Sequence, residues 1–119
     1  MMTVDSVGRG ADFPAPEEDL LGPDGPYEVE GIGGSKVPGN LDRDVIDRAE
    51  RVTDDESFAM VRRLVREEGL YVGGSAGANL VAALRVAARG DIQGPVVTVM
   101  CDSWDRYRAK PWMQGWEET

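Results

Sequence analysis

The sequence predicts an α/β unit, and three observations predict it. A capped amphipathic helix begins at residue 54, a glycine-rich turn at 73–77 separates a short apolar run from a second apolar helix, and a β-branched run occupies 95–100. The order helix, strand, turn, helix, strand is that of neighbouring parallel strands joined through helices. A chain of 119 residues fits one small domain, 1–119, able to bury about two-thirds of its unfolded surface.

Residues 2–7 form a short strand-like piece that begins almost at the initiator methionine, an odd opening for a domain with its own buried sheet. Residues 8–26 carry Gly8, Gly10, Pro14, Pro16, Gly22, Pro23, Gly25 and Pro26 among acidic residues, and predict an irregular connection with at most a turn of helix near 17–21. Tyr27-Glu28-Val29-Glu30 is a brief extended run leading into Gly31-Ile32-Gly33-Gly34-Ser35, whose glycines permit a tight turn or the close approach of backbone to a ligand.

Thr53-Asp54-Asp55-Glu56 is a capping box, so a helix starts at Asp54. Phe58, Val61, Leu64 and Val65 share one face of it, and Gly69 stands where a left-handed C-terminal cap belongs. Leu70-Tyr71-Val72 reads as a short strand, followed by the glycine turn and a helix over 76–89 that stops at Gly90. Leu80, Val81, Ala82, Ala83, Leu84, Val86, Ala87 and Ala88 leave that helix almost no polar face and predict that it is largely buried. Pro95-Val96-Val97-Thr98-Val99-Met100 has the near-continuous apolar character of a central parallel strand.

Composition narrows the function. Thirteen Lys plus Arg against 22 Asp plus Glu give a formal net charge of −9, which disfavours a nucleic-acid backbone as partner. Cys101 is the single cysteine and histidine is absent, so the chain has no intramolecular disulfide framework and no Cys/His metal site. Cys101 ends the β-branched run and reads as a packed core thiol. No window reaches the roughly 18 apolar residues of a membrane span, and the first residues form no basic leader. The expected location is the cytoplasm.

Gly73-Gly74-Ser75-Ala76-Gly77 admits three roles for Ser75. The serine and glycines form a helix entry with no further function; or Ser75 is the nucleophile of a G-x-S-x-G elbow; or it closes a turn against a pyridoxal phosphate ring. Ligands of open α/β sheets sit beyond the carboxyl ends of strands, which is where this turn lies. A serine nucleophile needs a neighbouring base, and a chain without histidine would have to find it in lysine or elsewhere.

Several separated segments fall into register with one family. Tyr27-Glu28-Val29-Glu30-Gly31-Ile32-Gly33, Pro38, Leu41-Asp42-Arg43, Val45-Ile46-Asp47, Asp54-Asp55-Glu56, Glu67-Glu68-Gly69-Leu70, Gly73-Gly74-Ser75-Ala76-Gly77, Val96-Val97, and Asp102-Ser103 with Tyr107 and Lys110 follow its order and approximate spacing. The chain resembles the C-terminal third of the cystathionine β-synthase and cysteine synthase family, the fold type II pyridoxal phosphate enzymes of β-replacement. The tyrosine-led run and the Gly-Gly-Ser form of the turn resemble the cystathionine β-synthase branch. The resemblance extends from about Val4 to Met113. It implies part of a fold type II large domain: a short parallel sheet flanked by helices and completed by a partner chain. It also implies that Ser75 hydrogen-bonds the pyridine nitrogen of pyridoxal 5'-phosphate and that the backbone of Gly31 and Gly33 lines the cofactor and substrate cleft. A neutral hydroxyl there, unlike a carboxylate, does not hold a proton on the ring, which favours β-elimination and replacement over racemisation.

The family's Schiff-base lysine, its asparagine loop for the substrate carboxylate and its Gly/Thr-rich phosphate loop lie in the N-terminal two-thirds, and none has a counterpart here. Lys36 and Lys110 are the only lysines, and neither falls at the Schiff-base position. Gly34-Ser35-Lys36-Val37 also replaces a segment often aromatic in the family. The resemblance therefore implies no catalytic residue in this chain and no activity alone. It implies instead the small subunit of a split enzyme, with a larger chain supplying the lysine, a small amino-acid substrate, and heterodimers that duplicate. A noncatalytic regulatory or interaction subunit and a G-x-S-x-G hydrolase are the alternatives. Serine, cysteine, O-acetylserine and O-phosphoserine are equally compatible donors.

Overall fold

The computed structural model describes residues 39–114. The expectations for 2–7, for 8–26, and for Gly31 and Gly33 lie outside those residues. The described part begins with a 3-10 turn, Arg43–Val45, opened by the Asp42 carboxylate, which accepts from the Asp44 amide at 3.0 Å.

Helix α1 (Asp54–Arg63) starts where its capping box places it. Thr53 Oγ1 accepts from the Glu56 amide at 3.3 Å, and the Glu56 carboxylate accepts from the Thr53 amide at 2.9 Å. The helix widens into a π-helical turn, Leu64–Glu68, closed by Gly69 at a φ of 67°. There the amides of Gly69 and Leu70 donate to the carbonyls of Val65 and Leu64 at 3.2 and 3.1 Å, which satisfies the end of the helix. Phe58, Val61 and Leu64 are buried, as their spacing predicts.

Helix α2 (Gly74–Ala88) begins two residues before the expected start, with Gly73 as its N-cap. Arg89 caps its far end and Gly90 follows at a φ of 72°. The helix is largely buried, as expected: residues 74–78, Val81, Ala82, Ala83 and Val86 are buried, whereas Leu84, Ala87 and Ala88 are exposed. α1 covers one side of α2, and no second layer among the described residues covers the other.

Small residues let the two helices approach. A β-carbon at Gly77 would collide with the backbone carbonyl of Ser57 and come within 2.8 Å of Val61 Cγ2, so α2 lies on the backbone of α1. Ser57 is itself buried, with its hydroxyl donating to the Thr53 carbonyl at 2.9 Å. Around this contact Val61, Leu64, Val72 and Ala76 form the core, with Met60, Leu80 and Trp112 against them. At the other end, Arg85 donates to the Arg51 carbonyl at 2.6 Å and to the Glu56 carboxylate. Glu56 thereby caps α1 and holds α2.

No paired strand forms among the described residues, so the expected parallel sheet is not completed there. Among the described residues Val72 pairs with Ser103 in an isolated antiparallel bridge. Along residues 96–100 Val97 is 81% and Val99 65% exposed. The physical reason is that β-branched residues fit a pleated surface but do not create one; a ladder needs a second strand alongside.

The Glu56 carboxylate is held below its ordinary value, first by the Thr53 amide and, against the opposing cost of burial, also by Arg85. Its folded pKa is depressed, so its contribution is present at neutral pH and lost as pH falls through that lowered value. Thr53→Ala should lower stability by about 1 kcal/mol, and Glu56→Gln should flatten the acid limb of the stability curve. Denaturant titrations at neutral pH and near pH 4 would check both; an unchanged acid limb in Glu56→Gln would contradict this account.

Candidate functional site

The entry to α2 is built by two segments distant in sequence. Residues 71–73 run beside 102–104: the Trp104 amide donates to the Tyr71 carbonyl at 3.3 Å, and the Gly73 amide donates to the Asp102 carbonyl at 3.2 Å. These bonds bracket the Val72–Ser103 bridge. At the corner, a β-carbon on Gly73 would meet the Asp102 carboxylate and the Tyr107 ring. The φ of Gly73 is −81°, which any residue adopts, so glycine is needed there for space.

The Asp102 side chain is fixed at one oxygen and open at the other. Its Oδ2 accepts from the Tyr107 hydroxyl. Its Oδ1, the atom against Gly73, is buried and has no hydrogen-bond partner among the described residues. Tyr107 lies in the 3-10 turn Trp104–Tyr107 and is buried. Its ring tilts against Trp112 at 5.7 Å and 42°, and Trp112 stacks on Phe58 of α1 at 4.3 Å and 13°. A second turn, Pro111–Met113, carries Trp112 into that stack. The corner at Gly73 is thus tied through aromatic rings to α1.

Ser75 stands in the first turn of α2 with 7% of its surface exposed. It does not cap the helix: no side chain caps α2. Its hydroxyl makes no hydrogen bond among the described residues and is left to an acceptor outside them. The first amides of a helix are also without intrahelical partners and carry the positive end of its dipole. The arrangement therefore offers a hydroxyl donor on a helix end to an acceptor, and no hydrogen bond to a base among the described residues activates that hydroxyl as a nucleophile. Gly31 and Gly33, the other residues expected at this site, lie outside the described residues.

One turn further along α2, the Asn79 amide donates to the Val99 carbonyl at 3.0 Å and to Cys101 Sγ at 3.3 Å. Cys101 is exposed, which corrects its reading as a core thiol. The 96–100 run is uncovered, and its last residues share that exposure. The brace of Asp102 and Tyr107 was not assigned a role from sequence, although both residues belong to the motif series. Their five-residue separation across an irregular turn has no helical or strand period to announce a contact.

Comparisons with known proteins place this turn in context. A family model described as pyridoxal-phosphate dependent enzyme matches residues 4–102. The chain is 40% identical over 119 residues to a cystathionine beta-synthase of Apis mellifera, covering 100% of this chain and 23% of the relative. It is 41% identical over 97 residues to a cysteine synthase of Helicobacter pylori, covering 80% of this chain and 32% of the relative. The crystal structure of the O-acetylserine dependent cystathionine beta-synthase from Helicobacter pylori superposes with a TM-score of 0.65 at 42% identity, over 75% of this chain and 29% of that one. The chain thus spans about a quarter to a third of the length of these relatives.

Gly73→Ala should displace the Asp102 carboxylate and the Tyr107 ring together, destabilising the fold by about 1–3 kcal/mol as overpacked sites do. Gly39→Ala, whose β-carbon meets nothing within 4 Å, is the control. Denaturant unfolding of both variants would check this, and equal midpoints would show the corner to be looser than described.

Proposed function

The chain belongs to the pyridoxal-phosphate dependent enzyme family, and from that premise we propose that it is the small subunit of a two-chain enzyme of β-replacement or β-elimination. Its substrates are serine, cysteine or an O-activated serine, it works in the cytoplasm, and the partner is a larger chain bearing the Schiff-base lysine. The observation that carries this reading is Ser75, a buried residue at the start of α2 whose hydroxyl makes no hydrogen bond among the described residues.

The donor at the start of α2 fits the cofactor's ring nitrogen: it is the neutral hydroxyl of Ser75 rather than a carboxylate, while the corner at Gly73 behind it is filled by Asp102 and Tyr107. Ser75 would hold the pyridine nitrogen, donating a hydrogen bond and leaving that nitrogen without a proton of its own. Gly31 and Gly33 would line the cleft. When bound, pyridoxal 5'-phosphate acts as an electron sink for the amino acid, and a ring left unprotonated is a weak sink, which favours loss of a β-substituent. This chain's task is to orient the ring; the lysine and the phosphate cradle come from the partner.

Two features support a partner. Lys36 and Lys110 are the only lysines, and neither occupies the family's lysine position. The exposed Val97 and Val99, with Leu70, Tyr71 and Leu84, form apolar surface of the kind that obligate interfaces cover. The assembly would be a heterodimer that duplicates. The same surface would serve a noncatalytic regulatory subunit, but the donor at Ser75 favours a part in the site.

Coexpression with a lysine-bearing homologous chain should yield a yellow complex that neither chain gives alone. Within it, Ser75→Ala should keep the fold and lose cofactor affinity about fivefold, the worth of one hydrogen bond of about 1 kcal/mol. Unchanged affinity and turnover in Ser75→Ala would remove the ring-nitrogen role. Ester hydrolysis by the isolated chain that disappears in the same variant would reinstate the nucleophile elbow.

A further inference from the structure

The corner that positions Ser75 is held by a side-chain pair to which no role has been given. Asp102 contributes its backbone carbonyl to the Gly73 amide at 3.2 Å, one carboxylate oxygen to the Tyr107 hydroxyl, and the other to the space against the Gly73 α-carbon. Ser75 is two residues further on, in the first helical turn. Resting on the proposed function, we infer that Asp102 and Tyr107 are positioning residues for the Ser75 hydroxyl, acting as a brace behind the turn that presents it.

The geometry makes the brace directional. Gly73 has no β-carbon, so the Asp102 carboxylate bears on the backbone itself, and any shift of that carboxylate moves the first residue of the turn. The carboxylate cannot swing away while its Oδ2 accepts from Tyr107. Tyr107 in turn is immobilised by burial and by Trp112, which stacks on Phe58 of α1. Helix α2 is separately seated on α1 through Gly77. The Gly73 to Ser75 segment is therefore fixed at both ends: by α1 directly on the helical side, and through Phe58, Trp112, Tyr107 and Asp102 on the other.

Asp102 Oδ1 is buried and without a hydrogen-bond partner among the described residues, a costly arrangement unless nearby positive potential compensates it. It lies against the N-cap of α2, where the helix dipole supplies such potential and where no side chain otherwise caps the helix. A carboxylate held there stiffens the first turn without occupying the Ser75 hydroxyl. A hydroxyl that must meet one ring atom depends on this rigidity, because displacement of a positioned group by about 1 Å lowers rates by up to about a hundredfold.

The test is a double-mutant cycle in the reconstituted two-chain complex, read by visible absorption of the bound cofactor, by kcat and KM, and by amide exchange. Tyr107→Phe removes only the hydroxyl that holds Asp102. It should lower kcat about three- to tenfold, leave KM within about twofold, and shift the cofactor absorption in the direction that Ser75→Ala does. Exchange should quicken at the hydrogen-bonded amides of Gly73, Gly77 and Trp104 while those of α1 keep their protection. In a Ser75→Ala background the same substitution should change neither kcat nor absorption further. Equal factors in both backgrounds, or unchanged exchange at those three amides, would overturn the inference. If Tyr107→Phe loses the protection of α1, Asp102→Asn, which keeps an acceptor for Tyr107, carries the same cycle with the same two outcomes. A wild-type complex that takes up no cofactor would sink the proposed function and the inference with it. A loaded, active wild type whose cycle is additive would sink the inference alone.

Discussion

The described structure depends on one contact without a side chain on one of its partners: the α-carbon of Gly77 against the carbonyl of Ser57. Because no β-carbon intervenes, α2 approaches α1 to backbone distance, and Ala76 and Val61 close into a core beside it. That seating fixes the axis of α2, and the axis fixes where its first turn ends. Everything said of Ser75 follows from a helix that cannot roll. Its far end is held as well, since Arg85 reaches both the Arg51 carbonyl and the Glu56 carboxylate.

The two sides of the molecule differ in kind. On one side, helices, aromatic rings and the Gly73 corner form a closed network in which Phe58, Trp112, Tyr107 and Asp102 each rest on the next. On the other, residues 96–100 carry core-type side chains into solvent. The Ser75 turn belongs to the closed side, while Asn79 on the same helix reaches the open one through the Val99 carbonyl. One helix therefore links the closed corner to the uncovered run at 96–100.

Local chemistry was legible in the sequence. The capping box at Thr53, the apolar face through Phe58, Val61 and Leu64, and the left-handed stop at Gly69 all depend on neighbours within four or five residues, and each is found where the pattern puts it. The turn at 73–77 was legible as a candidate site, because a serine between glycines at a helix entry has few uses. Non-local terms were not. Cys101 reads as a core thiol and is exposed, and Leu84 on the largely buried α2 is exposed as well, because an apolar sequence records what a surface would tolerate and not what covers it. The strand at 96–100 has the composition of a sheet centre, yet pairing is a property of two segments and only one is described. The brace of Asp102 with Tyr107 escaped for a simpler reason: it is set by a 3-10 turn, whose side-chain directions follow neither common period.

The open run has a consequence for the history of the chain as well as for its partners. Val96-Val97-Thr98-Val99-Met100 is uncharged, β-branched and free of internal proline, which is the composition that stacks into in-register, cross-β assemblies when copies meet. An edge of this kind is a template for its own sequence. A cell making this chain therefore faces a race between cover by another surface and self-templated pairing, and the outcome turns on stoichiometry and the timing of synthesis. Acidic residues elsewhere slow that pairing through mutual repulsion at a net charge of −9, and salt, by screening that repulsion, speeds it.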